Sequence, residues 1–434
     1  MALPRPLPQA RTPHTLTAWR SGEPLRWCGG NQVHLLRGGD ALFPAMMEAI
    51  AQAQHSVWLA TYIFHDDAQA ELLAQALAAA AARGVDVKVV VDGFGSNRSL
   101  ERVQAWLLPA GVALAVFRPL TRWWNWLQPG QLRRLHQKLC VVDDALGFVG
   151  GINVIGDRLD MNHGPTEQPR LDFAVAVQGP LVADISQATR SVWTRAAMGQ
   201  QWRQEVQALW RGAEPLKAAR QLWRDWRRIS ARRADAPQQA AAQPTRAALV
   251  VRDNLRQRRS IERAYIEAIA QARHRVDLVT PYFYPGQHFR RALIAAARRG
   301  AQVRLILQGK LDYRIAGMAA RVLYDELLAE GVEIYEYMPA FLHAKVAVVD
   351  EAWATVGSSN IDPLSLLLNL EANVVVDDAG FAAEVSDAMA QARAESRQVL
   401  PSTYAAGPAA VLGRALVAWL AHWYLRMSGL SGRY

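Results

Sequence analysis

The sequence predicts an α/β protein of two tandem α/β domains related by duplication, each a mainly parallel sheet flanked by helices. Three observations carry this. The chain has 434 residues, more than one ordinary hydrophobic core holds. The stretch "AIAQAQHSVWLATYIF" (49–64) returns as "AIAQARHRVDLVTPYF" (268–283). Each copy then continues in strand–helix–strand order, the pattern of a buried sheet covered by helices.

The elements follow in order. Each copy opens on the helix-like "AIAQA" and a strand, "VWLATYIF" or "VDLVTPYF". An Ala-rich helix comes next, "LLAQALAAAAARG" (72–84) or "RALIAAARRG" (291–300), whose last Gly suits the left-handed position after a helix. A second strand follows, "VDVKVVVDG" (85–93) or "QVRLILQG" (302–309), and later a third, "LHQKLCVVD" (135–143) or "LHAKVAVVD" (342–350). "RRADAPQQAAAQPTRAA" (232–248) reads as a linker between the copies. The expected division is an N-terminal extension at 1–29, a first domain at 30–195, a basic Trp-rich segment and linker at 196–245, a second domain at 246–400 and an apolar C-terminal helix at 401–434.

The third strands carry the chemistry. The full units, "HQKLCVVDDALGFVGGIN" (136–153) and "HAKVAVVDEAWATVGSSN" (343–360), both read His-x-Lys, then Asp, then Gly-Gly or Gly-Ser, then Asn. In a strand, residues two apart share a face, so His136 looks the same way as Lys138, and His343 the same way as Lys345. The glycine pair lets backbone approach a ligand, and Asn153 and Asn360 add amide donors. Imidazole, ammonium and amide, each supplied twice, suit a phosphodiester. One His attacks phosphorus, a protonated one gives its proton to the leaving oxygen, and the cations stabilise the charge that develops. Each His needs a carboxylate on its other nitrogen, and Asp172 in "PRLDFAV" and Glu371 in "LNLEANV" are the candidates. Asp143 and Asp350 either orient the histidines instead or, the favoured reading, tie the strand end to neighbouring backbone.

This doubled pattern resembles the phospholipase D superfamily over residues 30–400, and its flanking phrases, among them "FRPLTRWWNW", "TPYFYPG" and "NIDPLSLLLNLEANV", are similar to bacterial cardiolipin synthases of the B type. The resemblance implies two packed halves sharing one site and a phosphohistidine intermediate. It implies transfer of a phosphatidyl group, from phosphatidylglycerol or phosphatidylethanolamine, to phosphatidylglycerol. Carried over, His136, Lys138, Asp143, His343, Lys345 and Asp350 are catalytic, Asn153, Asn360 and Ser358 bind the substrate phosphate, and Asp172 and Glu371 orient the histidines. Two departures stand out: Ala60 where these synthases are expected to carry Glu, and Gly151 where the second copy has Ser358.

Charge and aromatic content point to the partner. The net charge is +10, and between Arg195 and Arg233 ten Lys/Arg stand against three Asp/Glu. The 15 tryptophans repeatedly neighbour arginine, as Trp123, Trp124 and Trp126 do beside Arg122, Arg133 and Arg134. That combination suits the surface of an anionic phospholipid membrane better than nucleic acid, whose binding would call for a basic groove leading to both motifs. No stretch reads as a secretion signal or a membrane span, so a peripheral position on the cytoplasmic face of the bacterial inner membrane is expected. With two cysteines there is no disulfide framework. "FHDD" (64–67) reads as a helix entry, and no cofactor or metal is expected. A hydrolytic phospholipase D and a nuclease of the same superfamily are the competing activities, and the oligomeric state is left open.

Overall fold

The computed structural model describes residues 25–119, 133–161, 164–209, 245–253, 257, 259–310, 323–362 and 369–401. The first half runs β1 (Cys28–Arg37), α1 (Gly38–Gln52), β2 (Ser56–Thr61), α2 (Ala68–Ala82), β3 (Asp86–Asp92), α3 (Leu100–Leu107), β4 (Ala113–Phe117), β5 (Leu139–Val142) and β6 (Leu146–Gly150). A small ladder, β7 (Leu159–Asp160) with β8 (Gly164–Pro165), precedes β9 (Phe173–Gln178) and the long α4 (Leu181–Leu209).

The second half repeats the plan: β10 (Thr245–Arg252), α5 (Ser260–Gln271), β11 (Arg275–Thr280), α6 (Gln287–Arg298), β12 (Gln302–Gln308), α7 (Tyr324–Ala329), β13 (Glu333–Tyr337), β14 (Val346–Val349), β15 (Trp353–Gly357), β16 (Glu371–Asp377), α8 (Ala379–Ala394) and an added β17 (Ser396–Val399).

The strand order β4-β3-β2-β5-β6-β9-β1 meets its mirror, β10-β16-β15-β14-β11-β12-β13-β17, at an antiparallel β1–β10 junction. The duplicated α/β architecture is as expected, but the sheets are mixed rather than mainly parallel. Among the described strands only those joined through helices, β2–β3–β4 and β11–β12–β13, run parallel. The motif strands β5 and β14 fold back through tight turns and pair antiparallel on both sides.

Both sheet faces are covered, which explains the nearly continuous apolar runs. Helices α1 and α2 bury Phe43, Ile50, Leu73 and Leu77 on the outer face of the first sheet, and α5 and α6 do the same with Ile269, Phe289 and Leu293 in the second. The inner faces share one core. There Val149 and Val175 of one half join Val348 and Val374 of the other, with Ile185 of α4 and Val385 of α8.

The Arg-Gly pairs behave alike in both halves. Gly84 (φ +92) and Gly300 (φ +95) adopt the left-handed conformation. Arg83 and Arg299 reach back to cap the carbonyls of Ile50 and Ile269, at 2.9 Å each. The expected boundary at 195 falls inside α4, whose Val192 and Ala196 both belong to the shared core. Among the described residues no helix is long and apolar enough to cross a membrane. Trp123, Trp124, Trp126 and Arg122, the linker up to residue 244 and the chain from 402 onward lie outside the described residues.

Candidate active site

The His-x-Lys residues lie just ahead of strands β5 and β14 rather than within them, because their backbone pairs with the opposite half. Leu135 bridges Leu370, with His136 N donating to Leu370 O (3.0 Å) and Leu370 N to Arg134 O (2.8 Å). In the mirror arrangement Leu342 bridges Leu171, with His343 N donating to Leu171 O (2.8 Å) and Leu171 N to Phe341 O (2.9 Å). In each case the next residue of the opposite half is the carboxylate.

That carboxylate holds the histidine. Glu371 Oε2 lies 3.0 Å from His136 Nδ1, and Asp172 Oδ2 lies 2.6 Å from His343 Nδ1. An ionised carboxylate only accepts, so each Nδ1 carries the proton and each Nε2 is left with its lone pair for chemistry. Asp172 and Glu371 are therefore both where the sequence expects orienters, but they are exchanged: each half supplies the carboxylate for the other half's histidine.

The lysines complete the cluster. Lys138 Nζ donates to His136 O at 2.8 Å and lies 5.6 Å from the centre of the Tyr62 ring, which itself stands 5.0 Å from the His136 ring. Lys345 Nζ donates to His343 O in the same way. Both are buried, and loss of solvation drives their pKa values down, to about 7 for Lys138 and about 8 for Lys345. Burial lowers both histidines as well. His343, facing Lys345, Lys138 and Arg170, falls well below its ordinary value, while Glu371 partly offsets the fall at His136. Burial raises Asp172 to about 6; in Glu371 the same effect is outweighed by His136, Lys138 and the Ser358 hydroxyl, which hold it below the usual range.

Three expected roles change. Asp143 and Asp350 are not at the site: they follow Lys138 and Lys345 by five residues, about 16 Å along an extended chain. The Asp143 carboxylate accepts the N–H groups of Gln54, His55 and Ser56, each at 2.8 Å, and Asp350 accepts those of Arg273, His274 and Arg275. Both sit at φ 52, a left-handed turn conformation that Asp tolerates. They tie the motif hairpin to the start of β2 or β11, the second of the two roles open to them.

Ser358 is wholly buried, and its hydroxyl donates to Glu371 Oε2 (2.6 Å), the oxygen that also holds His136. It supports a carboxylate rather than facing a substrate phosphate. Its counterpart Gly151 is small for a related reason: a Cβ there would collide with Asp172 Oδ1. The glycines of the motif thus admit a carboxylate or a neighbouring strand rather than a ligand.

Asn153 and Asn360 are buried beyond the glycines, and Asn153 Oδ1 accepts Ile63 N (3.3 Å), leaving its amide N–H groups for other partners. Asp67 of "FHDD" caps α2, accepting Ala70 N at 2.8 Å. Sequence reasoning missed Tyr62, and also Asp92, which accepts Leu135 N at 2.8 Å.

A doubled His–Lys–Asn set with exchanged carboxylates, at the meeting of two α/β halves, can bind, attack and protonate a phosphodiester. Comparison with known proteins agrees. The model of the "Cardiolipin synthase, PLD-like domain" family matches residues 46–164 and 265–393, one match in each half. Cardiolipin synthase B of Salmonella typhi is 41% identical over 355 residues, covering 82% of this chain and 78% of that protein. Cardiolipin synthase B of Escherichia coli K12 is 38% identical over the same shares. A crystal structure of phosphatidylserine synthase from Haemophilus influenzae Rd KW20 superposes with a TM-score of 0.63 at 14% identity, covering 93% of this chain and 96% of that one, and shares the fold. The chain belongs to the cardiolipin synthase family of phospholipase D-like proteins.

Proposed function

We propose that the protein is a cardiolipin synthase-like phosphatidyltransferase, with phosphatidylglycerol as acceptor and phosphatidylglycerol or phosphatidylethanolamine as donor. The observation that carries this reading is the pair of histidines, each presenting Nε2 while the opposite half's carboxylate holds Nδ1–H. One Nε2 attacks the donor phosphorus and forms a P–N bond. The P–O bond to the headgroup breaks, and the other histidine protonates the leaving alcohol. In the second step that histidine takes the proton from the glycerol hydroxyl of the acceptor lipid, whose oxygen attacks phosphorus as the P–N bond breaks.

Both histidines have lowered pKa values in the free protein, which favours the neutral nucleophile. An arriving phosphodiester anion favours the protonated form of the second one. Lys138, Lys345, Asn153 and Asn360 are the donors assigned to the non-bridging oxygens.

The protein works on an anionic phospholipid surface as a peripheral membrane enzyme, on the cytoplasmic face in this reading. The net charge of +10 supports this. So does the half-exposed Phe94, with the Arg134 guanidinium 4.9 Å from its ring and two residues from His136. The experiment is turnover on mixed vesicles carrying labelled phosphatidylglycerol. Cardiolipin with released glycerol is the expected product, lost in H136A and H343A. Phosphatidic acid alone would make the protein a hydrolase.

A further inference from the structure

The residue before each catalytic histidine is held by a side chain from a neighbouring strand, and this repeats in both halves. Asp92 is the last residue of β3 and Gln308 the last of β12, equivalent positions in "VVVDG" and "LILQG". Asp92 Oδ2 accepts Leu135 N at 2.8 Å, while its Oδ1 accepts Phe94 N (2.8 Å) and Gly95 N (3.1 Å). Gln308 Oε1 accepts Leu342 N at 2.6 Å.

Neither Leu135 N nor Leu342 N belongs to a strand ladder, so without these acceptors a buried donor would stay unsatisfied. Each His backbone is thereby clamped from two sides: by its own half through Asp92 or Gln308, and by the opposite half through Leu370 or Leu171. The ring has its own third anchor in Glu371 or Asp172.

We propose that Asp92 and Gln308 are positioning residues that set the distance and angle of His136 and His343 toward the reacting phosphorus. This rests on the two histidines being the reacting groups. Neither side chain touches the substrate. Their effect runs through one backbone N–H each, and a small displacement of an attacking atom is enough to slow an in-line step by about two orders of magnitude. The two halves use different chemistry for the same task. Asp92 is wholly buried, serves three N–H groups and lies 3.9 Å from Arg134, whereas the half-buried Gln308 serves one N–H as a neutral acceptor.

The test compares Gln308→Met, which keeps the volume and removes the acceptor, with Gln308→Glu, which keeps the acceptor. Both are made in the full chain and assayed on phosphatidylglycerol vesicles, with the downfield Nδ1–H proton resonance of His343 followed by NMR. Expected for Q308M is a fall in kcat of about 10- to 100-fold, with KM unchanged and the resonance shifted or broadened. Q308E should restore kcat and resonance toward wild type. A folded Q308M with wild-type kcat and resonance overturns the proposal, as does a Q308E as impaired as Q308M. Should Q308M fail to fold, Gln308→Asn, one methylene short of Leu342 N, decides in the same way. If wild type itself makes no lipid product, the phosphatidyltransferase reading fails, and the resonance in the variants still decides whether the clamp exists.

Discussion

Replacing Glu371 with Gln is the sharpest test of the exchanged carboxylates. The side chain is wholly buried and isosteric with Gln, so the shared core is left intact. What is lost is the negative charge on the oxygen that accepts both His136 Nδ1 at 3.0 Å and the Ser358 hydroxyl at 2.6 Å, and with it the charge assistance of the histidine's hydrogen bond. A hydrogen bond to a charged group contributes roughly 1.5–3 kcal/mol. At 1.36 kcal/mol per factor of ten, removing it from the transition state lowers kcat about 10- to 150-fold. If the new amide turns its NH2 toward Nδ1, His136 is forced into the wrong tautomer and the loss approaches 10⁴-fold, by analogy with hydrolase triads. Because Glu371 raises the His136 pKa, its removal also moves the pH–rate limb owned by His136 to lower pH. The assay is kcat and KM on labelled phosphatidylglycerol vesicles from pH 5 to 9, with circular dichroism to confirm folding. A folded E371Q within about threefold of wild type, with an unmoved pH profile, would refute the role given to Glu371.

Other outcomes follow from the same geometry. Asp143→Ala should lower stability by about 2 kcal/mol, since three backbone N–H groups lose an exposed acceptor and Ala is strained at positive φ; activity per folded molecule should persist, as urea denaturation and vesicle assays can check. The Asp143 pKa is depressed in the folded chain, so its contribution is present above the unfolded value of about 4 and is lost as pH falls through the folded one. The stability gap between D143A and wild type should therefore narrow in acid. The rate constant kcat/KM should fall as pH rises through about 7 to 8, because Lys138 and then Lys345 lose the charge that stabilises the phosphate; a flat profile to pH 9 contradicts that use of the lysines. Gly151→Ala should cost at least about tenfold in kcat by pushing Asp172 off His343, and wild-type kinetics in that variant would mean the carboxylate can be displaced without effect.

The repeat, the doubled α/β plan and the chemistry-bearing His, Lys and Asn residues were legible because they recur as letters at fixed spacing. Asp172 and Glu371 were legible as strand-starting carboxylates after each motif, but not which histidine each serves. The exchange depends on how two sheets pack, and a sequence repeat describes each half separately. The sheets' mixed character hid for a similar reason: the helix-linked strands announce parallel pairing, whereas the antiparallel fold-back of β5 onto β6 is set by a short turn at Asp143 and Asp144. The roles of Ser358 and Gly151 were inverted because a small residue after a strand signals close approach without saying what approaches. Asp92 and Gln308 share no letter, so no motif could pair them.

The exchange also has a consequence for how the enzyme comes into being. His136 is separated from Glu371 by 235 residues, and Asp172 from His343 by 171. During synthesis the first half has its outer core, but its share of the inner core and its histidine both wait for the second half. Until the last strands emerge and dock, the nascent chain has an imidazole with no fixed tautomer and a carboxylate with nothing to orient. A truncated product or a separately expressed half should therefore be inert toward phosphodiesters even when folded. Competence to break lipid bonds arrives in a single event, when the second half docks on the first.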